Sequence, residues 1–171
     1  PDSYGLTLKS LVTHPLINLY EYLVHSRGYF ASNGTESGGF IKSEPSQDIP
    51  DLQFHFGCLK LRNHTRDLPF LMGHGYSLHV CDLRPKSRGT ISLNSKNPLD
   101  HPIIDGNYLD DERDMEKMVL AVKASLHVLN APAFDQYRGK TLIPSYELNN
   151  DDDIRRFIRE SAETIYHPVG T

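Results

Sequence analysis

The residue best suited to acid–base chemistry is His167, which lies in the stretch IYHPVGT at residues 165–171. Pro168 fixes its own φ and biases the histidine before it towards an extended backbone. Gly170 and Thr171 are small, so a ligand could approach the backbone closely there. This pattern is typical of a fixed functional histidine. Residue chemistry alone equally allows an incidental histidine at a frayed terminus.

Nine histidines and two cysteines raise the question of a metal site. The group densest in sequence comprises His55, Cys58, His64, His74, His79 and Cys81. Its spacings match no zinc pattern, and strand alternation puts His55 and Cys58 on opposite faces of a sheet. We therefore expect no metal. Both cysteines lie in strand-like runs, which favours buried free thiols in a reducing compartment over a disulfide framework.

Composition limits the possible classes of function. The 171 residues are 38% hydrophobic and carry a formal net charge of −4 without a run of Lys or Arg, so nucleic-acid binding is not expected. No apolar run reaches the roughly twenty residues that cross a bilayer, so no membrane span is expected. The stretch Gly73-His74-Gly75 lacks the third glycine and the following helix of a dinucleotide-binding loop.

Three helices are predicted from the spacing of apolar residues. The first covers about residues 15–25 and is apolar on more than one face, so it packs against other residues or lies on a membrane surface. The second covers residues 110–129, and the carboxylates in its first turn suit the helix dipole. The third begins after a cap at Asn149 or Asn150 and leads the chain to His167.

The clearest strand pattern covers residues 52–59, where apolar and polar side chains alternate. Alternation puts His55 on the face opposite the row that contains Phe54. On an antiparallel sheet such a face meets solvent or a pocket, and alternation alone favours solvent.

The other predicted strands are shorter. They cover residues 40–43, 76–83, 90–94 and 103–105. The strands at 76–83 and 90–94 are predicted to pair as a hairpin across the charged turn at 84–89. Residues 26–39 are a loop by composition, with Glu36 as its one carboxylate.

Five stretches resemble the glucose–methanol–choline family of flavin oxidoreductases in order and spacing. They are ESGGF at 36–40, PDLQFHF at 50–56, LRPKSRGTI at 83–91, PIIDGNYL at 102–109 and YHPVGT at 166–171. The resemblance covers nearly the whole chain and is greatest to bacterial choline dehydrogenases and membrane-associated aliphatic alcohol dehydrogenases. It implies an α+β fold, an antiparallel β-sheet flanked by helices. It also implies a substrate-binding domain over residues 1–164 and a catalytic-histidine segment over residues 165–171.

The resemblance implies roles for individual residues. His167 matches the catalytic histidine, which would take the alcohol proton, or hydrogen-bond the developing alkoxide, while the carbinol hydride goes to flavin N5. The implied substrate-binding residues are Glu36, His55, Ile165 and Tyr166, and the implied cofactor-binding residues are Pro168 and Val169. Glu36 alone does not decide for choline. The neutral-alcohol members carry this carboxylate too, and a cation site usually also needs an aromatic cage.

On this resemblance we expect the substrate-binding part of an FAD-dependent dehydrogenase that oxidises a primary alcohol to an aldehyde, with a quinone or another electron acceptor. The alternatives are a choline dehydrogenase or an oxygen-using alcohol oxidase of the same family, and a non-catalytic binding module with this fold. The sequence begins without methionine and stops on a specific stretch, so we expect an excerpt of a longer protein. FAD would be held mainly by an N-terminal domain outside it, and the 171 residues alone would be inactive. The expected location is the cytoplasm, with attachment to the periphery of the inner membrane left open.

Overall fold

A computed structural model describes residues 14–62, 74–167 and 169–170. In these residues the helices are α1 Pro15–His25, α2 Glu112–Leu129 and α3 Asp151–Ser161. The strands are β1 Ser37–Ile41, β2 Leu52–Gly57, β3 Ser77–Asp82, β4 Thr90–Ser92 and β5 Ile103–Asp105. The predicted α+β class, with an antiparallel sheet and flanking helices, is confirmed.

The main sheet has the order β1-β2-β3, with β2 antiparallel to both neighbours. Leu52 and Phe54 are buried on one face of β2, whereas Gln53 and His55 are half-buried on the other. The alternation predicted for this segment therefore holds, although the strand ends at Gly57. The face with Phe54 packs towards α2, and the face with His55 carries the polar side chains.

Strand β1 begins earlier than the sequence predicted. Residues 37–39 were expected to be loop because they are small, yet Gly38 and Gly39 pair with His55 and Phe54 of β2. Main-chain hydrogen bonds form this ladder whatever the side chains are. A Cβ at Gly38 would overlap the carbonyl oxygen of Phe54, so the close approach of the two strands requires a glycine here.

The predicted hairpin of residues 76–83 and 90–94 is wrong. Strand β3 pairs with β2, and β4 pairs with β5 in a separate two-stranded sheet, with Ile91 opposite Ile104. The short strand predicted at residues 103–105 is thus confirmed. The connection between β3 and β4 cannot act as a simple turn, because Ser87 within it is buried against the start of α2.

A buried aspartate holds this connection. Asp114, in the first turn of α2, is 2% exposed, and Ser87 is 3% exposed. The Asp114 carboxylate accepts hydrogen bonds from the Lys86 amide at 2.7 Å, the Ser87 amide at 2.8 Å and the Ser87 hydroxyl at 2.6 Å. The Ser87 Oγ in turn accepts from the Asp111 amide at 3.0 Å. We call this arrangement the Asp114 clamp.

Helices α2 and α3 share an apolar core. Its buried members are Met115, Val119, Val122, Ile154 and Ile158. Asn150 caps α3 by accepting from the Asp153 amide at 2.9 Å, as predicted, and Asp111 caps α2. Helix α3 ends at Ser161, so the domain boundary predicted at residue 164 falls in the extended stretch that follows it. That division of the chain stays a prediction.

A half-buried ammonium links the other face of α2 to the main sheet. Lys117 Nζ lies 2.9 Å from Asp82 Oδ1 at the end of β3 and 3.8 Å from Asp51 Oδ2 at the start of β2. Asp51 also accepts from the Ser43 amide and hydroxyl, each at 2.7 Å. These paired charges link the helix to two strands.

Helix α1 covers the predicted residues and lies beside the short 3₁₀ turn Tyr29–Ala31. Most of its apolar side chains are exposed, among them Leu16, Leu23 and Val24. None of the helices in the described ranges is both long and apolar enough to cross a bilayer.

The Asp114 clamp is expected to make the free energy of unfolding decrease as the pH becomes acidic. Burial alone would raise the pKa of the Asp114 carboxyl, but the hydrogen bonds from Ser87 and Lys86 outweigh it and lower the pKa below its ordinary value. A carboxylate with a lowered folded-state pKa stabilises fully above its ordinary pKa of about 3.9 and loses that contribution as the pH falls through the lowered value.

We therefore expect Asp114→Asn to cost about 1–3 kcal/mol at pH 7, because buried donors lose a charged acceptor. The same variant should lose less further stability on acidification than the unchanged protein does. The midpoint of urea unfolding between neutral pH and about pH 3 measures both effects. A decline as steep in Asp114→Asn as in the unchanged protein would contradict the assignment.

Candidate functional site

A shallow groove lies where β1 and β2 meet. It has a volume of about 330 Å³ and is lined by residues 35–40 and 53–55. Glu36 and His55, which the sequence predicted as substrate-binding residues, both belong to its wall. The structure therefore brings together two residues that are separated by a loop and a strand.

The pairing of β1 with β2 creates this groove. Gly38 is the register partner of His55, and cross-strand partners point to the same face of a sheet. Gly38 carries no side chain, so the β1 side of the imidazole stays open to the groove. On the other side, β3 places His79 opposite His55.

His55 has a defined environment on this polar face. Its Nε2 lies 3.7 Å from the Sγ of Cys81. Burial lowers the pKa of the His55 imidazole below its ordinary value, and the charge of His167 lowers it further. Burial and the neighbouring Asp82 raise the pKa of the Cys81 thiol, so the thiol stays protonated and can donate to a neutral imidazole.

Glu36 supplies the negative charge of the groove. Its side chain is exposed just before β1, where a ligand can reach it. The carboxylate also lies close enough to Cys58 to influence that thiol. Burial raises the pKa of Cys58, and the charge of Glu36 raises it further.

His167 lies on the irregular segment that follows α3. The segment makes a hydrogen bond on each side of the histidine. The Tyr166 amide donates to Thr164 Oγ1 at 3.1 Å, and the Gly170 carbonyl accepts from the Gly89 amide at 2.7 Å. The His167 side chain is exposed, and its charge acts on His55. The groove with Glu36 and His55 and the predicted catalytic residue thus lie near one another.

Three of the remaining predicted site residues, Ile165, Tyr166 and Val169, flank His167, and the described lining of the groove does not include them. Ile165, Tyr166 and Val169 are exposed on the same segment, and Tyr166 adopts a positive φ of 67°. Pro168 lies outside the described residues. The substrate and cofactor roles of these four residues stay predictions.

Sequence reasoning missed the contacts that hold the segment of His167. The residues concerned are Ser87, Arg88, Gly89 and Asp114. Asp114 was interpreted only as a favourable charge at a helix start. A signal was available, because Asp114 lies four residues before Met118 and seven before Ala121, on the buried side of α2. A carboxylate at such a position needs a hydrogen-bonding partner.

Residues 85–171 match the family profile described as GMC oxidoreductase. The chain is 44% identical over 162 residues to the alcohol dehydrogenase (acceptor) of Pseudomonas putida, covering 95% of this chain and 29% of that protein. It is 37% identical over 148 residues to the oxygen-dependent choline dehydrogenase of Pseudomonas fluorescens (strain SBW25), covering 86% of this chain and 26% of that protein. The chain thus spans less than a third of either relative.

Solved structures show the same fold. Pyridoxine 4-oxidase from Mesorbium loti superposes with a TM-score of 0.67 at 24% identity, over 77% of this chain and 26% of that one. A formate oxidase from Aspergillus oryzae RIB40, studied for FAD modification, superposes with a TM-score of 0.70 at 20% identity, over 89% of this chain and 31% of that one. The family profile, the relatives and the shared fold agree with the five sequence stretches, and the chain belongs to the GMC oxidoreductase family.

Proposed function

We propose that this chain is the substrate-binding and proton-accepting part of an FAD-dependent oxidoreductase that oxidises a primary alcohol to an aldehyde. One observation carries the proposal, namely that the charge of His167 reaches His55 in the wall of the groove that also contains Glu36. Relatives named alcohol dehydrogenase and choline dehydrogenase support the substrate class. The activity is proposed for the enzyme that contains this chain.

His167 is the proton acceptor in this proposal. Alcohol oxidation removes a proton from oxygen and a hydride from carbon, and the carbon–oxygen bond becomes double. An imidazole can accept that proton, and the His167 ring is exposed on a segment whose Gly170 carbonyl is bonded to the Gly89 amide. FAD, when bound, supplies the acceptor for the hydride at N5.

His55 has the complementary role. Two imidazoles near one alcohol oxygen would compete for its proton if both were equally basic. The lowered pKa of His55 keeps that ring neutral, so it hydrogen-bonds the substrate oxygen and leaves the proton to His167. The Cys81 thiol beside Nε2 helps to hold the ring in place.

The chain suits the ring of a flavin better than its phosphates. Tyr166 and Val169 beside His167 are 66% and 85% exposed, which gives apolar surface against which a flat aromatic ring can pack. Pyrophosphates are usually held where a glycine-rich loop enters a helix. In the described ranges, Gly38, Gly39 and Gly75 lie in strands or lead into one. We infer that the phosphates bind mainly to residues other than those in the described ranges.

Choline is the second candidate substrate. The exposed ring of Phe40 and the carboxylate of Glu36 lie in the same groove, and both attract a quaternary ammonium. A single such ring is a weak cation site, so we favour a neutral alcohol. The electron acceptor is a quinone or a similar compound in this proposal, and oxygen is the alternative.

His167→Ala in the full-length enzyme tests the proposal. Anaerobic mixing with a medium-chain primary alcohol should bleach the flavin absorbance of the unchanged enzyme. The variant should bleach about 10²–10⁴-fold more slowly, because it lacks the proton acceptor. Stopped-flow absorbance measures the rate, and His127→Ala, which removes an exposed histidine on α2, is the matched control.

Three results would speak against the proposal. Undiminished bleaching in His167→Ala would remove the proposed role of that residue. If no alcohol bleaches the flavin band of the unchanged enzyme, the chain still belongs to the family, but the proposed alcohol dehydrogenase activity is rejected. A folded full-length protein without flavin would favour the binding module.

Glu36→Gln separates the two substrates. With a medium-chain alcohol, the variant should change the bleaching rate by less than about tenfold, the size of one neutral hydrogen bond. Choline should bleach the flavin absorbance of the unchanged enzyme only slowly. If choline bleaches it rapidly and the variant loses more than about tenfold, the carboxylate recognises a cation and choline is the substrate.

The pKa of His55 tests the geometry of the two imidazoles. His55 should titrate below its ordinary value in the unchanged protein. In His167→Ala the pKa should rise towards that value, because a neighbouring positive charge is lost, while the effect of burial remains. NMR titration of the imidazole Cε1–H signals measures this, with His127→Ala as control. An unchanged His55 titration in His167→Ala would place the two rings too far apart to act together.

A further inference from the structure

We propose that the Asp114 clamp positions His167, so that Ser87 and Asp114 are positioning residues for the reaction. This inference rests on the proposed function, because it takes His167 as the proton acceptor. Ser87 and Asp114 are 3% and 2% exposed and cannot touch a substrate. Any effect they have on the reaction must pass through residues that they hold.

The first link is a rigid turn. The Asp114 carboxylate fixes the amides of Lys86 and Ser87 at 2.7 and 2.8 Å. The next residue, Arg88, folds its guanidinium back on the turn and donates to the carbonyls of Pro85 at 2.8 Å and Ser87 at 2.7 Å. Residues 85–88 therefore have hydrogen bonds on both the core side and the outer side.

A second element holds the turn from the opposite direction. Asn107, which follows β5, donates from Nδ2 to the Arg88 carbonyl at 3.1 Å. The strand β4, which begins one residue after Gly89, pairs with β5. The position of the Gly89 amide is thus set by α2 through the clamp and by β5 through Asn107.

The last link joins the turn to the segment of His167. The Gly89 amide donates to the Gly170 carbonyl at 2.7 Å, and we call this bond the tether. Gly170 has a φ of 95°, and a Cβ there would lie 3.1 Å from Arg88 Nη1. Only glycine fits both the backbone and the guanidinium without strain.

The tether lies three residues from His167, so it holds the histidine backbone to within the span of three peptide units, about 10 Å. Before the histidine, the Tyr166 amide donates to Thr164 Oγ1 within the same segment. The tether, in contrast, joins this segment to the turn that the Asp114 clamp holds. Loosening the tether would leave the imidazole attached to the chain but displaced from its position.

Ser87→Ala in the full-length enzyme tests the inference. The variant removes the hydroxyl that donates to Asp114 and accepts from Asp111. We expect the rate of flavin bleaching at saturating alcohol to fall about 10- to 100-fold, because small displacements of a reacting group are costly. KM and flavin content should change little, since the groove and the family fold remain.

Ser43→Ala is the matched control. It removes a serine hydroxyl from another buried aspartate, since Ser43 Oγ donates to Asp51 Oδ2 at 2.7 Å and Asp51 is 2% exposed. Asp51 directly precedes β2, and its bonds from Ser43 hold the connection between β1 and β2, whereas the Asp114 clamp holds the amides of residues 86 and 87. We expect both variants to lower the melting temperature and only Ser87→Ala to lower the bleaching rate. Equal rate losses in both variants would reduce the clamp to a stabilising role and overturn the inference.

A double-mutant cycle separates this inference from the proposed function. If Ser87 acts through His167, then Ser87→Ala should cost less than about threefold in a His167→Ala background. The same loss in both backgrounds would overturn the inference alone. An unimpaired His167→Ala enzyme would overturn the proposed function and this inference with it.

Gly170→Ala provides a second route if Ser87→Ala fails to fold. It strains the tether and leaves the core of α2 intact. The same fall in bleaching rate, again absent in the His167→Ala background, is expected. Full activity in Gly170→Ala would overturn the inference.

Discussion

A carboxylate removed from water must have its oxygens hydrogen-bonded, and the fold of this chain depends on how Asp114 meets that requirement. Two amides and one hydroxyl of the connection between β3 and β4 supply the donors. The connection therefore lies on the first turn of α2 instead of closing a hairpin. Strand β4 is directed to β5, and the backbone at Gly89 meets the segment of His167. One buried charge thus influences the pairing of two strands and the position of the segment that contains His167.

The two faces of the main sheet differ in what they contact. The face that contains Phe54 packs towards α2, and Lys117 adds a half-buried ion pair with Asp82 across that boundary. The opposite face keeps its polar side chains half-buried, which is enough to shift the pKa of His55 and Cys81 without closing access to the groove. Placing the stabilising contacts on one face leaves the other free to be shaped by substrate chemistry.

Local patterns predicted most elements of this fold. Helix α1 has the predicted bounds, α3 begins after the predicted cap at Asn150, and β2 alternates as expected. Helix α2 begins at Glu112, two residues later than predicted. The errors concern partners. The start of β1 was missed because its residues are mostly glycines, and strand pairing needs no side chains. The hairpin prediction failed because the buried contact between Ser87 and Asp114, 27 residues apart in sequence, directs the connection elsewhere. For the site, alternation put His55 on the right face, but only the family resemblance indicated that Glu36 would join it. The buried role of Asp114 was obscured by its place in an acidic first turn.

The bond between Gly89 and Gly170 joins two main-chain groups, and this has an evolutionary consequence. Apart from the glycine at 170, such a bond does not depend on the identity of nearby side chains. Ile165 can therefore vary in size and polarity while the bond between Gly89 and Gly170 stays in place. A lineage with this arrangement could explore new alcohols by changing that residue. The machinery for removing the proton would be inherited intact, so selectivity and reactivity could diverge independently.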